Sequence, residues 1–412
     1  MKDLLLFEFK KITKILYFMM MLLALIAFVS FFFIYSYVHT ARVDDYIYNN
    51  EAIKSSHQLS IDELSNTEED RATNKEDIKF FRGEMEEIDM LSESARNHDW
   101  ENIIRYEIAS SEETVKVLPS QSEENVYTWP THFTNEVVME KNKWLLEHHI
   151  KPVLPIHSFS EITAYDRVFN TAIDEQIAYE FFNKYDSSSI YFLFLLVENG
   201  LTIGGAIFFL FLFGSMITRE GLGRNGPIHF LATMPLKRWK IIWSKLITTI
   251  LLTFFVLFAT ILWGTLLGIV FDRFGDWGYP VLIYEPDFSF RFIEMGNFIL
   301  LSLLLFLSLL IFCYSWLFLY SVLLKQTFMT IVLTIITVGS GYLLSGSDIA
   351  ITQELAPFNP FHYFHITEVI TMEYAFNAEN YNFTMWNGII SLFIFSLIII
   401  LVAFLLFRRK AK

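Results

Sequence analysis

Gly221, Gly223 and Gly226 spell G-x-G-x-x-G. Backbone N–H groups at that spacing cradle a pyrophosphate when a strand enters the turn and a helix leaves it. Here a long apolar run precedes the glycines and Pro227 follows them, so a turn at a membrane surface is expected instead of a nucleotide site. The sequence contains no G-x-x-x-x-G-K-[ST], so any ATP-driven work would need an ATPase on another chain. His362, His365 and Glu368 recur every three residues, which would align them on one helical face as metal ligands can be. They lack the H-E-x-x-H pattern and lie in an aromatic-rich stretch, so interfacial histidines are the simpler reading. His57, His98, His132, His148, His149 and His157 are scattered and suit surface or packing roles. Asn382-Phe383-Thr384 fits a glycosylation acceptor but abuts an apolar run and is set aside. Glu198 is the carboxylate that would fall inside an apolar run if that run starts near Ile190. An ionisable group within a membrane is costly and marks a substrate path; alternatively the run begins at Glu198 and the carboxylate lies among headgroups. No catalytic set gathers in or beside the apolar runs, and neither a resident cofactor nor a bound metal is expected on the chain.

The elements that would carry these residues follow from composition. Of 412 residues, 53% are hydrophobic and 18% charged, with 43 Phe, which departs from soluble domains toward a membrane protein. Six uncharged stretches approach or exceed the roughly 20 residues that cross a bilayer: 15–38, 199–218 (starting earlier near Ile190 if Glu198 lies inside), 246–271, 295–324, 326–347 and 380–407. Lys2, Lys10, Lys11 and Lys14, then Arg219, Arg224, Lys237, Arg238 and Lys240, then Lys325, then Arg408, Arg409, Lys410 and Lys412 occupy alternate connections. Residues 348–379 hold five acidic residues and no Lys or Arg. Basic residues favour the cytoplasmic side, so six spans with both termini inside are expected. The first run could be a signal peptide, but its 24 uncharged residues exceed the usual length and no A-x-A site follows. Residues 2–14 mix Leu and Phe with Lys, fitting either a short interfacial helix or an extension of the first span.

Charge divides the chain. Residues 38–189 hold 14 Lys+Arg against 31 Asp+Glu, a net of −17, and the remainder holds 17 against 14. The expected organisation is therefore 1–37, an interfacial helix and first span; 38–189, an acidic extracytoplasmic domain; and 190–412, the other spans with an inner loop at 219–240. Apolar spacing predicts helices over 78–95, 99–110, 133–150 and 161–182, with 60–75 polar and mobile. One cysteine, Cys313, precludes an internal disulfide or a Cys-based metal site. An extracytoplasmic domain without cysteine points toward the plasma membrane of a single-membrane bacterium.

The stretch ITREGLGRNGPIHFLATMPLKRWKIIWSKL, residues 217–246, resembles the inner segment of permease subunits of ABC-2 type ATP-binding-cassette exporters. Glu220-Gly221 would lead into a short helix. Pro235, Leu236, Lys237 and Arg238 would form the Pro-x-x-Arg element entering the third span, followed by Ser244-Lys245. Gly339, Gly341 and Gly346, then Pro357 and Pro360, resemble the family's re-entrant segment before the last span, which must pack against protein or a cavity. The large insert after the first span departs from many members. The resemblance implies an all-α membrane fold. It also implies a coupling site at Glu220, Gly221, Arg224, Pro235, Lys237 and Arg238 for a cytoplasmic ATPase, ATP held on that partner, and a second permease subunit. Two six-helix subunits would then stand above two ATPase subunits. The aromatic spans suit an amphiphilic substrate such as a peptide antibiotic, lipid or drug, with Glu198 on its path. Lipid contact is implied and no nucleic-acid partner. A membrane sensor or immunity module, binding a cationic peptide through the acidic domain without transport, is the competing expectation.

Overall fold

The computed structural model describes residues 2–66, 71–117, 130–156, 161–166, 184–218, 238–324, 326–345 and 355–410. About 80% of the described residues are helical, and the chain divides into an apolar unit (Met1–Ile34, Ser188–Gly275 and Val281–Lys412) and a polar unit (Tyr35–Ser187 and Asp276–Pro280). The polar unit takes in five residues, 276–280, that the sequence places elsewhere.

The apolar unit begins with α1 (Lys2–Thr13), which ends before α2 (Leu16–His39). It is a helix of its own and not an extension of the first span. Its Glu8 is 2% exposed and lies 4.0 Å from Lys245, itself 7% exposed. Then come α7 (Ser189–Gly200), α8 (Ile203–Thr218), α9 (Arg238–Phe271), α10 (Met295–Leu323), α11 (Thr327–Ser345), α12 (Ile366–Ile370), α13 (Glu373–Asn377) and α14 (Met385–Lys410). Among the described residues five helices are long and apolar enough to cross a membrane, and a sixth span results if α7 and α8, bent by 81°, count as one. Of the five, α10 is the central one, with 61% of its most apolar window buried against 17–33% in the others. Leu305, Leu309, Leu310, Cys313 and Leu317 on α10 are fully enclosed.

Without a hydrophobic drive between helices in lipid, close packing needs small residues. On α9, Gly264 and Gly268 serve α7: a Cβ at Gly268 would lie 2.5 Å from the Ser189 backbone, and one at Gly264 would press Leu193 and Phe192 at 3.1–3.2 Å. The Ser189 and Ile190 N–H groups donate to the carbonyls of Arg273 and Phe274, so the start of α7 is satisfied without a side-chain cap.

All-helical is not the whole architecture. β1 (Pro280–Tyr284) pairs with β2 (Phe290–Glu294). Asp287 and Phe288 take left-handed φ of 57° and 58° in the connecting turn, which suits the right-handed twist of a hairpin. Tyr284 N–H donates to Thr371 O, tying β1 to the segment before α14. That segment is built of 3-10 turns at Ala356–Phe358 and Pro360–Phe364. Phe361 meets the Phe312 ring at 5.4 Å and lies where a side chain on Gly341 would be, and Tyr363 fills the same role over Gly388. Gly339 has open space around it, and Gly346 lies outside the described residues.

In the polar unit, α3 (Val43–Asn66) and α4 (Arg71–Arg96) form an antiparallel pair, followed by α5 (Trp100–Val117) and α6 (His132–Glu147). The stretch expected to be mobile is therefore helical up to Asn66 and from Arg71. Asn50 donates to Ser92 and Lys54 to Asp89 across the pair, ordering a sequence too polar to fold by itself. The helix expected from Glu161 does not begin there. Residues 161–163 are irregular and Ala164–Asp166 is a 3-10 turn, because Asp166 accepts hydrogen bonds from Thr131 N–H, Thr134 and Thr163. Residues 167–182 of that expected helix lie outside the described residues.

Two glycine substitutions should move stability in opposite directions. Gly268→Leu, forced against α7, should destabilise by about 1–3 kcal/mol. Gly83→Ala, in the middle of α4 with nothing within 4 Å, should stabilise by about 0.5–1 kcal/mol. Thermal unfolding of the purified protein checks both.

Candidate functional site

The candidate site is the break between α7 and α8. Glu198 lies in the last turn of α7 and is exposed. Of the two expectations for it, the structure excludes a helix starting at Glu198, since α7 begins nine residues earlier at Ser189. The turn itself is Asn199-Gly200-Leu201-Thr202. Backbone groups stranded in an apolar body cost several kcal/mol each, and here they find partners. Leu201 N–H donates to Val197 O, Ala206 N–H to Thr202 O, and the Asn199 side-chain amide to Leu195 O. Gly205 approaches the Gly200 carbonyl so closely that any Cβ would collide with it. Beyond the turn, α8 is held by rings. Phe209 meets Phe306 edge-on at 5.9 Å, and Phe213 meets Tyr314 at 6.1 Å and Phe18 at 6.0 Å. Beside the turn, α2, α7, α8, α9 and α10 line an open-sided cavity of about 470 Å³. A bent helix, a carboxylate at the bend and an apolar cavity beside it form an arrangement that can hold a ligand within the apolar body.

Of the expected coupling residues, Glu220, Gly221, Arg224, Pro235 and Lys237 lie outside the described residues. Arg238 is the first residue of α9. Seven residues on, Lys245 is the one paired with Glu8. The histidine set does not assemble as ligands. His362 Nδ1 is 2.6 Å from the Tyr374 hydroxyl, whereas His365 Nδ1 is 3.1 Å from Glu368 and its ring stacks on Tyr342. Burial pushes His362 down to about 4, leaving it neutral at ordinary pH. Among the described residues no group of three or more His, Cys, Asp or Glu could hold a metal ion. His148 stacks on Trp144 and His149 contacts Glu101; His57 lies against Phe81 and His98 against Trp100.

A second cluster, in the polar unit, has no signature in the sequence. Lys141 of α6 lies 2.6 Å from Glu161, and Lys184 contacts the same carboxylate. The Lys141 ammonium stands 5.5 Å from the centre of the Tyr279 ring. Burial alone would raise the Glu161 carboxyl, but the two lysines outweigh it and hold it down at about 2. Burial, helped by the charge of Lys141, draws Lys184 down to about 8 despite Glu161. Burial raises Glu107 to about 7, with Lys184 opposing. An acid drawn up and a base drawn down can mark proton-transfer chemistry. Here all three charged members of the core are covered and engaged with one another, so the cluster acts as a fastener joining α6 to the segments at 161, 184 and 279.

No protein-family model, curated protein or solved structure matches the chain. The geometry of the break and the sequence patterns are therefore the grounds for a functional reading.

The polar cluster makes stability depend on pH. Glu107 binds its proton more tightly folded than unfolded, so it costs nothing below its ordinary value near 4.5 and its full penalty above about 7. Glu107→Gln should thus stabilise at pH 8 by on the order of 2 kcal/mol and leave pH 4 unchanged. Glu161→Gln should destabilise at pH 7 by about 3–5 kcal/mol, because two covered ammonium groups lose their counter-charge. Unfolding midpoints over a pH series check both signs.

Proposed function

We propose that the chain is the membrane-spanning subunit of an ATP-driven exporter of the ABC-2 type, moving an amphiphilic substrate while a separate cytoplasmic subunit hydrolyses ATP. The observation that carries the reading is the 81° break in the second apolar segment, with Glu198 at its edge and an apolar cavity beside it. Transport requires a place for a ligand at bilayer depth, and a discontinuous helix supplies one without stranding backbone groups. The alternation of basic connections supports six spans with both termini in the cytoplasm and the polar unit outside. It also supports residence in a cell membrane, that of a bacterium by the cysteine usage. On this reading α1 lies on the inner leaflet, residues 219–240 meet the ATPase, and a second membrane subunit completes the path. ATP belongs to the partner, and this chain performs no catalysis.

A sensor or immunity module is the second reading, favoured by the net charge of −17 over residues 38–189. A field of that sign steers cationic peptides toward the domain and fades over a Debye length of roughly 8 Å at physiological salt.

The two readings part on the inner loop. Reversing the charges of Glu220, Arg224 and Arg238 together should abolish co-purification of an ATPase and its stimulation by substrate, while elution and melting of the membrane subunit stay unchanged. Complex formation and stimulated hydrolysis that survive the triple reversal would remove the coupling assignment. In a Cys313→Ala background, cysteine at Ser120 or Asn377 should react with an impermeant thiol reagent in intact cells, and cysteine at Asn225 should not. Labelling of position 225 from outside would overturn the six-span topology.

A further inference from the structure

The cavity beside the break lies wholly within the apolar unit. On α7 its lining residues include Leu193, Leu196, Val197 and Gly200, the i, i+3, i+4, i+7 spacing of a single helical face. At about 100° per residue, Glu198 lies roughly 150° from the middle of that face, so its charge belongs to the other side of α7. None of the lining residues is ionisable. Of the polar side chains present, Asn199 donates to the Leu195 carbonyl and Thr260 to that of Val256. The interior therefore offers dispersion contacts, very little hydrogen bonding and no charge. Its volume of about 470 Å³ falls in the range of roughly 300–1,000 Å³ that takes a small organic ligand.

The depth of the cavity determines what can reach it. Leu257, in its wall, is the middle residue of the apolar span Trp243–Phe271. Ala24 and Phe28 line it from near the midpoint of α2. The middle of a span stands about 10 residues, or ~15 Å, from either membrane surface. The floor is covered, with Val29, Leu193, Phe209 and Phe306 at 5% exposure or less. The exposed lining residues are Ala24 and Phe28 of α2, and Asn199, Thr202 and Gly204 around the turn, so the cavity opens between α2 and the start of α8. An opening at that depth meets lipid chains and not water. A sealed apolar void can stay empty, but one open to hydrocarbon is filled by it, because a chain that enters gains the dispersion contacts of the floor.

We propose that this cavity takes the end of a single uncharged alkyl chain, which enters sideways from the bilayer core while the head group of the molecule stays at the membrane surface. Recognition is then by the chain and not by the head group. The chain belongs either to a resident lipid or to a free single-chain molecule dissolved in the bilayer, and the chemistry of the site is the same for both. The assignment goes beyond the exporter reading, because occupancy of the cavity needs no ATPase.

The test uses the purified full chain in phosphatidylcholine nanodiscs and two photoreactive phosphatidylcholines. One carries a diazirine at the end of an acyl chain and the other carries it beside the ester, and the adducts are mapped by mass spectrometry. Leu397, 53% exposed at the middle of α14, reports ordinary lipid contact. The chain-end probe should also label the covered floor, at Leu193, Phe209 and Phe306, roughly tenfold more than the ester-side probe does. A chain-end phosphatidylglycerol should label the floor as well as the phosphatidylcholine does. Gly204→Leu should fill the cavity, since a Cβ there meets only the Thr202 hydroxyl at 3.5 Å. It should cut floor adducts roughly tenfold, the effect of excluding about two methylene groups, and leave Leu397 adducts unchanged. Thr260→Phe fills the cavity from α9 and should give the same loss, which guards against a folding defect in the first variant. Floor residues left unlabelled beside a labelled Leu397 would overturn the proposal, whether the cavity is then empty or covered by a second copy. So would floor labelling that both filling variants leave unchanged, equal floor labelling by the ester-side probe, or a head-group preference above about threefold. Unlabelled dodecanol added to the bilayer separates the two sources of the chain. Loss of floor adducts shows that a free molecule takes the site, persistence assigns it to resident lipid, and either upholds the alkyl-chain assignment. The inner-loop charge reversal tests the exporter reading separately, so each can fail while the other stands.

Discussion

The close approach of Gly205 to the Gly200 carbonyl is the constraint from which the apolar unit follows. An 81° turn inside a hydrocarbon-compatible body must satisfy its own backbone, because there is no water to do so. Only a residue without Cβ lets the first turn of α8 lie against the last carbonyls of α7. Once that contact is made, the direction of α8 is set, and Phe209 and Phe213 fall onto α10. The turn also prevents α7 and α8 from closing against α2 and α9 along their whole length, and the unfilled wedge is the cavity. The upper part of the arrangement depends in turn on Gly264 and Gly268, which let α7 sit close against α9.

Most of the membrane-like character was legible in the sequence, and its reason is plain. A helix in hydrocarbon must be uncharged for about 20 residues, and that demand survives averaging over a window. The break did not survive it. The run from Ile190 to Thr218 reads as one apolar segment, and a bend changes no residue's hydropathy. A signal was nonetheless present, because Asn199, Gly200, Gly204 and Gly205 crowd into seven residues of an otherwise apolar stretch. The β-hairpin escaped notice because Asp287-Phe288 is an uncommon pair for left-handed positions, where Asn-Gly or Asp-Gly is the usual signal. Helix α3 escaped because its order comes from partners on α4 and not from its own periodicity. Of the expected site residues, Glu198 falls at the break, whereas the histidines with metal-like spacing are packing residues.

Long-range pairing was the least legible part. Lys141 and Tyr279 are 138 positions apart, and no spacing rule connects them to Glu161 and Lys184. The polar unit shows a contrast between surface and interior as a result. Its exterior is strongly acidic, yet the charge cluster it covers has two ammonium groups to one carboxylate, with Glu107 within electrostatic reach of Lys184. The excess of carboxylates outside keeps that interior bias compatible with a large negative net charge. Burying charge is tolerable here because every member has an opposite partner, whereas removing one partner leaves a bare ion.

The same logic applies to Glu8 and Lys245 and leads to the mechanical role of α9. This helix runs unbroken for 34 residues, about 50 Å at 1.5 Å per residue. Near its start Lys245 is tied to α1 through Glu8. Further along, Leu257, Thr260 and Ile261 form one wall of the cavity, and one turn beyond, Gly264 and Gly268 seat α7. One rigid element thus touches the N-terminal helix, the cavity wall and the first half of the broken helix. Packed helices shift as bodies and do not deform smoothly, so a displacement imposed at Arg238 must either be absorbed at the Glu8 contact or reach the cavity. The turn at Gly200–Thr202 is the nearest place where the body can yield, because α7 rides on α9 while the aromatic contacts of α8 are with α10 and α2. Motion of α9 relative to α10 would therefore change the angle of the break and the volume beside it.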